Sequence, residues 1–167
     1  MIVVVIGVAG SGKSTIGRML AKALNCCFLE GDALHSAASI AKMSSGTPLT
    51  DEDRLPWLAA IHSRIADFVS RGEDLVVACS ALKRQYRQSL AIGVPITWVY
   101  LQASKDLIRT RLAHRTSHFM KPAMLDSQFA ILEEPAEAIV VDASLLPQVI
   151  VNHLLALLPL TIHSKRP

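Results

Sequence analysis

Aromatic side chains make up only 5% of the 167 residues, so whatever core this chain builds is mostly aliphatic. Cysteine is rarer: three residues, two of them adjacent at Cys26 and Cys27, supply neither a disulfide framework nor a spaced set of metal ligands. That usage favours a reducing, cytoplasmic setting in which thiols pack as small hydrophobes. There is no basic block either. The 17 Lys and Arg are dispersed, and a formal net charge of +3 fits a few cations around a small anion, with no nucleic-acid tail. Uninterrupted apolar runs of membrane-spanning length are also missing. MIVVVI at the N-terminus is short, lacks a basic leader and flows into a glycine loop, which argues against a secretory signal. The Leu-rich stretch 145–160 is broken by Gln148, Asn152, His153 and two prolines, and reads as a packed terminal helix with no place in a membrane.

What is present suits one compact domain: 51% hydrophobic and 19% charged residues over a length that a single core can organise. Ile2–Ile6 is a continuous β-branched run of the kind that parallel sheets bury on both faces, and it returns in LVVACS (75–80), ITWVYLQ (96–102) and AIVVD (138–142). CCFLE (26–30) is a fifth strand. Helical stretches alternate with them at 13–24, 53–71, 83–90, 105–115 and 146–157. Alternation of this kind predicts an α/β fold, a doubly wound parallel sheet flanked by helices. Two regions break the rhythm: a helical and loop insertion at about 33–56, and a polar, basic segment at about 113–122 placed where small kinases carry a lid.

GVAGSGKS, directly behind the first strand, satisfies G-x-x-x-x-G-K-[ST] in full. Such a loop turns successive N–H groups toward phosphates, and the helix behind it presents its positive end to the same anion. The expected nucleotide contacts are Gly7, Val8, Ala9, Gly10, Ser11, Gly12, Lys13, Ser14 and Thr15. Lys13 is expected to reach the β- and γ-phosphates of ATP, and the Ser14 hydroxyl to ligate Mg²⁺. P-loop folds host motors, switches and kinases, so the other residues must decide between them.

Three further stretches carry that decision. Topology puts Asp32, in LEGDALH, at the carboxyl end of the second strand beside the loop. Its carboxylate could take a proton from an attacking hydroxyl or hold Mg²⁺ through water; a helix N-cap is the equally weighted structural alternative. His35, three residues on, could donate a hydrogen bond to the same substrate, although taken alone it reads as a surface residue. In GTPLTDEDRLPWL, Arg54 is suited to a carboxylate, against the alternative of a pair with a neighbouring Asp, and Trp57 reads as a packing anchor. Lys83, Tyr86 and Arg87, in CSALKRQYR, are spaced to share one helical face, either a basic surface for an anionic, hydroxylated acceptor or a solvated face.

Taken with HFMKPAMLDSQFAILEEP, these motifs run in order from about Gly7 to Pro135 and resemble the gluconate kinases, a family of small P-loop sugar-acid kinases. The resemblance implies transfer of the γ-phosphoryl of ATP, with Mg²⁺, to the 6-hydroxyl of D-gluconate. Asp32 would then position or deprotonate that hydroxyl and share the metal with Ser14, while His35, Arg54, Lys83, Tyr86 and Arg87 would hold the sugar acid. It also implies catalytic roles for Lys13 and for Arg111 and Arg115 of the lid, a His118-Phe119 lid signature, service to the fold and the adenine end by Gln128 and 133–135, and a homodimer. Two positions depart from the family: Ser36 stands where Pro is usual, and LVVACS lacks the acidic residue of an ordinary Walker B strand. A shikimate-type or nucleoside-monophosphate-type kinase is the nearest alternative, opposed by Leu34 at the usual second Asp, by CSALK in place of a glycine triplet, and by the scarcity of aromatics. A nucleotide-binding module without catalysis is the alternative from another class.

Overall fold

The computed structural model describes residues 1–113 and 122–158. The lid expected at about 113–122 falls almost wholly outside them, together with Arg115, His118 and Phe119. Strand β1 (Ile2–Ile6) is buried at every position, which only a central strand with helices on both faces can achieve. It pairs in parallel with β3 (Leu75–Ala78) on one side and with β4 (Thr97–Gln102) on the other. β2 (Cys27–Glu30) and β5 (Ile139–Asp142) close the edges, giving the order β2-β3-β1-β4-β5, all parallel.

The period-two alternation of β1 sorts its side chains between two cores. Ile2, Val4 and Ile6 pack with Leu58, Ile61 and Ile65 of helix α3 (Asp51–Ser70) and Leu90 of α4 (Arg84–Leu90). Val3 and Val5 pack with Ile16 and Leu20 of α1 (Lys13–Leu24) and with Ile150 and Leu154 of α7 (Pro147–Leu157). Each such aliphatic side chain, fully buried, contributes about 1.5–3 kcal/mol. A third, smaller cluster of Val8, Leu82, Ile108 and Leu125 joins the segment after β1 to α5 (Lys105–Ala113) and α6 (Pro122–Ile131). No helix among the described residues is long and apolar enough to cross a membrane.

The insertion between β2 and β3 holds a 3₁₀ turn at Gly31–Leu34, helix α2 (Ala37–Ser44) and the start of α3. Ser36 caps α2, its hydroxyl accepting the Ser39 N–H, so the residue that departs from the family's Pro has a local role. α3 begins two residues earlier than the sequence suggests, because Thr50 and Asp53 form a reciprocal capping box. α4 begins one residue later, with Lys83 as its N-cap. β3 is shorter than LVVACS, although the Cys79 N–H still reaches the Val5 carbonyl at 3.0 Å.

Gly31 is where this scaffold's backbone approaches a neighbouring strand most closely among its glycines. A Cβ there would lie 2.6 Å from the Ala78 carbonyl oxygen, closer than any real contact. The Gly31 carbonyl in turn accepts the Trp57 indole N–H at 2.8 Å, and the Trp57 ring stacks on His35 at 4.4 Å. The turn bearing Asp32 and His35 is thereby clamped between β3 and α3. Gly31→Ala is expected to lower stability by about 1–3 kcal/mol through overpacking and to lower turnover as Asp32 is displaced; thermal unfolding and steady-state rates together check this.

Candidate active site

The loop after β1 and the turn after β2 emerge at the same carboxyl edge of the sheet, flanking β3. In the loop, Gly12 takes φ 104° as the N-cap of α1, and a Cβ on it would meet nothing within 4 Å. The space beside Gly12 is therefore open. α1 has no side-chain cap and no acidic residue in its first turn, so the end of the helix that carries N–H donors and a partial positive charge has no competing carboxylate of its own. Ser11 Oγ is buried with no hydrogen-bond partner among the described residues. Lys13, only 7% exposed, donates from Nζ to the Val8 carbonyl at 3.1 Å, and Ser14 beside it is half-buried. A helix start without a side-chain cap, an orphaned hydroxyl and a sheltered lysine fit a polyphosphate.

Arg111 of α5 ties the loop to the far side of the sheet. Its guanidinium donates to the Ser11 carbonyl at 3.3 Å and to the Ala143 carbonyl, beyond β5, at 2.6 Å. Between them lies a cleft of about 180 Å³ lined by Gly10, Ser11, Gly12, Thr15, Ile16 and Arg111 on one side and Ala143, Leu145, Pro147 and Ile150 on the other. Its mixed lining and its position behind the phosphate loop suit a nucleoside. Gln128, expected with 133–135 to serve the fold and the adenine end, accepts the Ala9 N–H at 2.7 Å, while Glu133 accepts the Arg84 N–H at 2.6 Å and Glu134 accepts the Tyr100 hydroxyl at 3.2 Å.

Asp32 is exposed in the first turn of its 3₁₀ segment, whose N-cap is Glu30, so the N-cap alternative does not hold for it. No described residue forms a hydrogen bond or ion pair with its carboxylate. Asp32 and Lys13 both act on the fully buried Cys79 thiol, whose pKa is pushed up by burial first and by the Asp32 charge second. The loop that carries Lys13 and the turn that carries Asp32 thus leave the sheet at the same edge, on either side of β3. His35, next in line, has its pKa lowered by burial, with the Asp32 charge opposing and the Arg54 charge reinforcing the shift. It remains a neutral imidazole at neutral pH.

Charges around the acceptor side are sorted rather than pooled. Asp51 receives both Lys83 bonds at 2.7 Å, the Tyr86 hydroxyl and the Gln85 amide at 2.8 Å. Lys42 pairs with Asp53. Arg54, expected alternatively to pair with a neighbouring Asp, does not: it donates to the Leu49 and Thr50 carbonyls and lies over the Tyr86 ring at 5.6 Å. Among the described residues no carboxylate pairs with it. Arg87 does not share an open face with Lys83 and Tyr86. It is 4% exposed and donates to the carbonyls of Ala81, Leu82 and Glu133 at 3.3, 3.0 and 3.0 Å, with Glu137 near its Nε. The role of Asp51 as a hub had no sequence signal, since its partners lie 32 to 35 residues away.

Hydrogen bonds from Lys83 first and Tyr86 second hold the Asp51 carboxyl down at about 2, below its ordinary 3.8. A depressed carboxylate contributes stability that is fully present above its unfolded value and is lost as pH falls through the folded one. The stability difference between the parent and Asp51→Asn is therefore expected to be constant above pH 3.8 and to close as the pH approaches about 2. Urea unfolding across that range checks it.

Comparisons with known proteins agree with this geometry. A family profile described as an AAA domain matches residues 2–135. The chain is 40% identical to a gluconokinase of Arabidopsis thaliana, over 92% of this chain and 90% of that one. It is 47% identical to a gluconokinase of Gluconobacter oxydans (strain 621H), covering 80% and 76%. The crystal structure of a gluconokinase from Sinorhizobium meliloti 1021 superposes with a TM-score of 0.84 at 46% identity, covering 92% of this chain and 89% of that one. A shikimate kinase from Aquifex aeolicus shares the fold alone, at 16% identity and a TM-score of 0.59. With its phosphate loop, its acceptor turn and relatives of this identity along most of its length, the chain belongs to the gluconokinase family.

Proposed function

We propose that this protein transfers the γ-phosphoryl group of ATP to the 6-hydroxyl of D-gluconate, giving 6-phosphogluconate and ADP. The observation that carries the reading is the placement of the loop bearing Lys13 and the turn bearing Asp32 at one carboxyl edge of the sheet, flanking β3, with Arg54 held by main-chain carbonyls and paired with no described carboxylate. The relatives named gluconokinase at 40% and 47% identity support the choice of substrate.

Phosphoryl transfer asks an enzyme chiefly for positioning and for stabilisation of charge on the moving group. The N–H groups of the loop and of α1 cradle the phosphates, and Lys13 leaves the Val8 carbonyl to meet the charge that develops there. Arg111 braces the loop against the nucleoside cleft. On the acceptor side, the exposed Asp32 carboxylate takes the hydrogen bond, and then the proton, of the attacking hydroxyl. Neutral His35 can bond a further hydroxyl without adding charge. Arg54, its NH1 already anchored on main chain, offers the rest of its guanidinium to the gluconate carboxylate. Lys83 and Tyr86, held by Asp51, shape that side, and Arg87 fixes the loop that carries them.

Magnesium fits this donor set through the Ser14 hydroxyl and the Asp32 carboxylate, both hard oxygen ligands. When bound it would supply positive charge that offsets the negative charge of the phosphates.

A coupled ADP-release assay across gluconate, other sugar acids, shikimate and nucleoside monophosphates tests the reading; stimulation by gluconate is expected. Asp32→Asn should retain ATP affinity within about twofold while losing about 10²–10⁴ in turnover, the range for a positioned proton acceptor. Unchanged turnover would remove Asp32 from the mechanism, and ADP release stimulated by no acceptor would favour a binding module.

A further inference from the structure

The peptide that joins Val8 to Ala9 is gripped from both sides. Its carbonyl accepts the Ser11 N–H at 3.2 Å and the Lys13 ammonium at 3.1 Å. Its N–H points the opposite way, as a planar trans peptide requires, and donates to the Gln128 side-chain oxygen at 2.7 Å. Gln128 reaches the loop from α6, 119 residues further along the chain. Leu125 of the same helix is packed against Val8 in the cluster beneath the loop.

Rotation of this peptide about its flanking torsions by about half a turn would exchange its two faces. An N–H would then confront the Lys13 ammonium, and the lysine would lose its carbonyl acceptor. Within the loop the two bonds to the Val8 carbonyl favour the observed orientation, and the bond to Gln128 reinforces it from outside. It also withdraws the Ala9 N–H from the set that can reach a phosphate, leaving that contact to later amides of the loop and of α1.

We propose that Gln128 is a positioning residue, which locks the Val8–Ala9 peptide with its carbonyl toward Lys13 and so presets the phosphate loop before nucleotide arrives. This rests on the reading of the loop as the ATP site. A hydrogen bond of this kind corresponds to about three- to tenfold in an equilibrium.

Two variants of the full chain test it: Gln128→Met, which keeps the length and removes the acceptor, and Gln128→Glu, which keeps an acceptor oxygen. In nucleotide-free protein, hydrogen–deuterium exchange at Ala9 and its loop neighbours should quicken in Gln128→Met with β1 and β3 unaltered, and should keep the parent's protection in Gln128→Glu. Gln128→Met should also raise the KM for ATP about three- to tenfold and leave the KM for gluconate within about twofold. Unaltered loop exchange with an unaltered KM for ATP overturns the proposal. So does a parallel rise in both KM values with faster exchange throughout, which marks a merely structural residue. Loop exchange that responds as expected, in a parent with no gluconate-dependent turnover, supports the latch and counts against the substrate reading alone.

Discussion

The start of α1, with its N–H donors and positive dipole end, is the constraint around which this molecule is arranged. A helix start always presents such donors, and among the described residues α1 has neither an acidic residue in its first turn nor a side-chain cap to meet them. Without a cap from the helix itself they are met by water or by an anion, and so need an open edge. β1, buried at all five positions, fixes where that start lies, because a strand covered on both faces can release the chain only at its end. The loop, Lys13 and the cleft braced by Arg111 all follow from that one exit point.

The acceptor side is built by the opposite device, in which charges are cancelled almost everywhere except where one is needed. Asp51 takes Lys83 and Tyr86, and Asp53 takes Lys42. Arg54 sits among these pairs and shares none of them. Because Lys83 raises its own affinity for a proton by holding Asp51, it stays charged, but its charge is already matched. Arg54, by contrast, is oriented by main-chain carbonyls, and among the described residues no carboxylate neutralises it. Trp57 and Gly31 supply the rigidity: the indole bond and the close approach to Ala78 leave the Asp32 turn little room to shift.

Much of this was legible in the chain. Continuous β-branched runs alternating with helical periods announced a parallel sheet, and the glycine loop between the first strand and the first helix announced its ligand. Asp32 was placed by topology, since a residue leaving a parallel strand at its carboxyl end must face the same edge as the loop. Less legible were the contacts made by side chains far apart in sequence. Arg87 looked like part of an exposed basic face from its spacing to Lys83, yet it is buried on three carbonyls. Spacing describes a helix surface, and it does not say which part of that surface a neighbouring segment covers.

By itself, then, the sequence determined the class of chemistry, because a phosphate loop needs only local backbone geometry and a strand and helix to frame it. Tertiary structure alone decided how the remaining charges were divided. Whether a lysine is matched or an arginine left open depends on carboxylates brought within about 3 Å by the packing of α3 against α4, and no local pattern encodes that meeting. The Val8–Ala9 peptide shows both sides at once: its place in the loop is written in eight consecutive residues, and the glutamine that holds it arrives from 119 residues away.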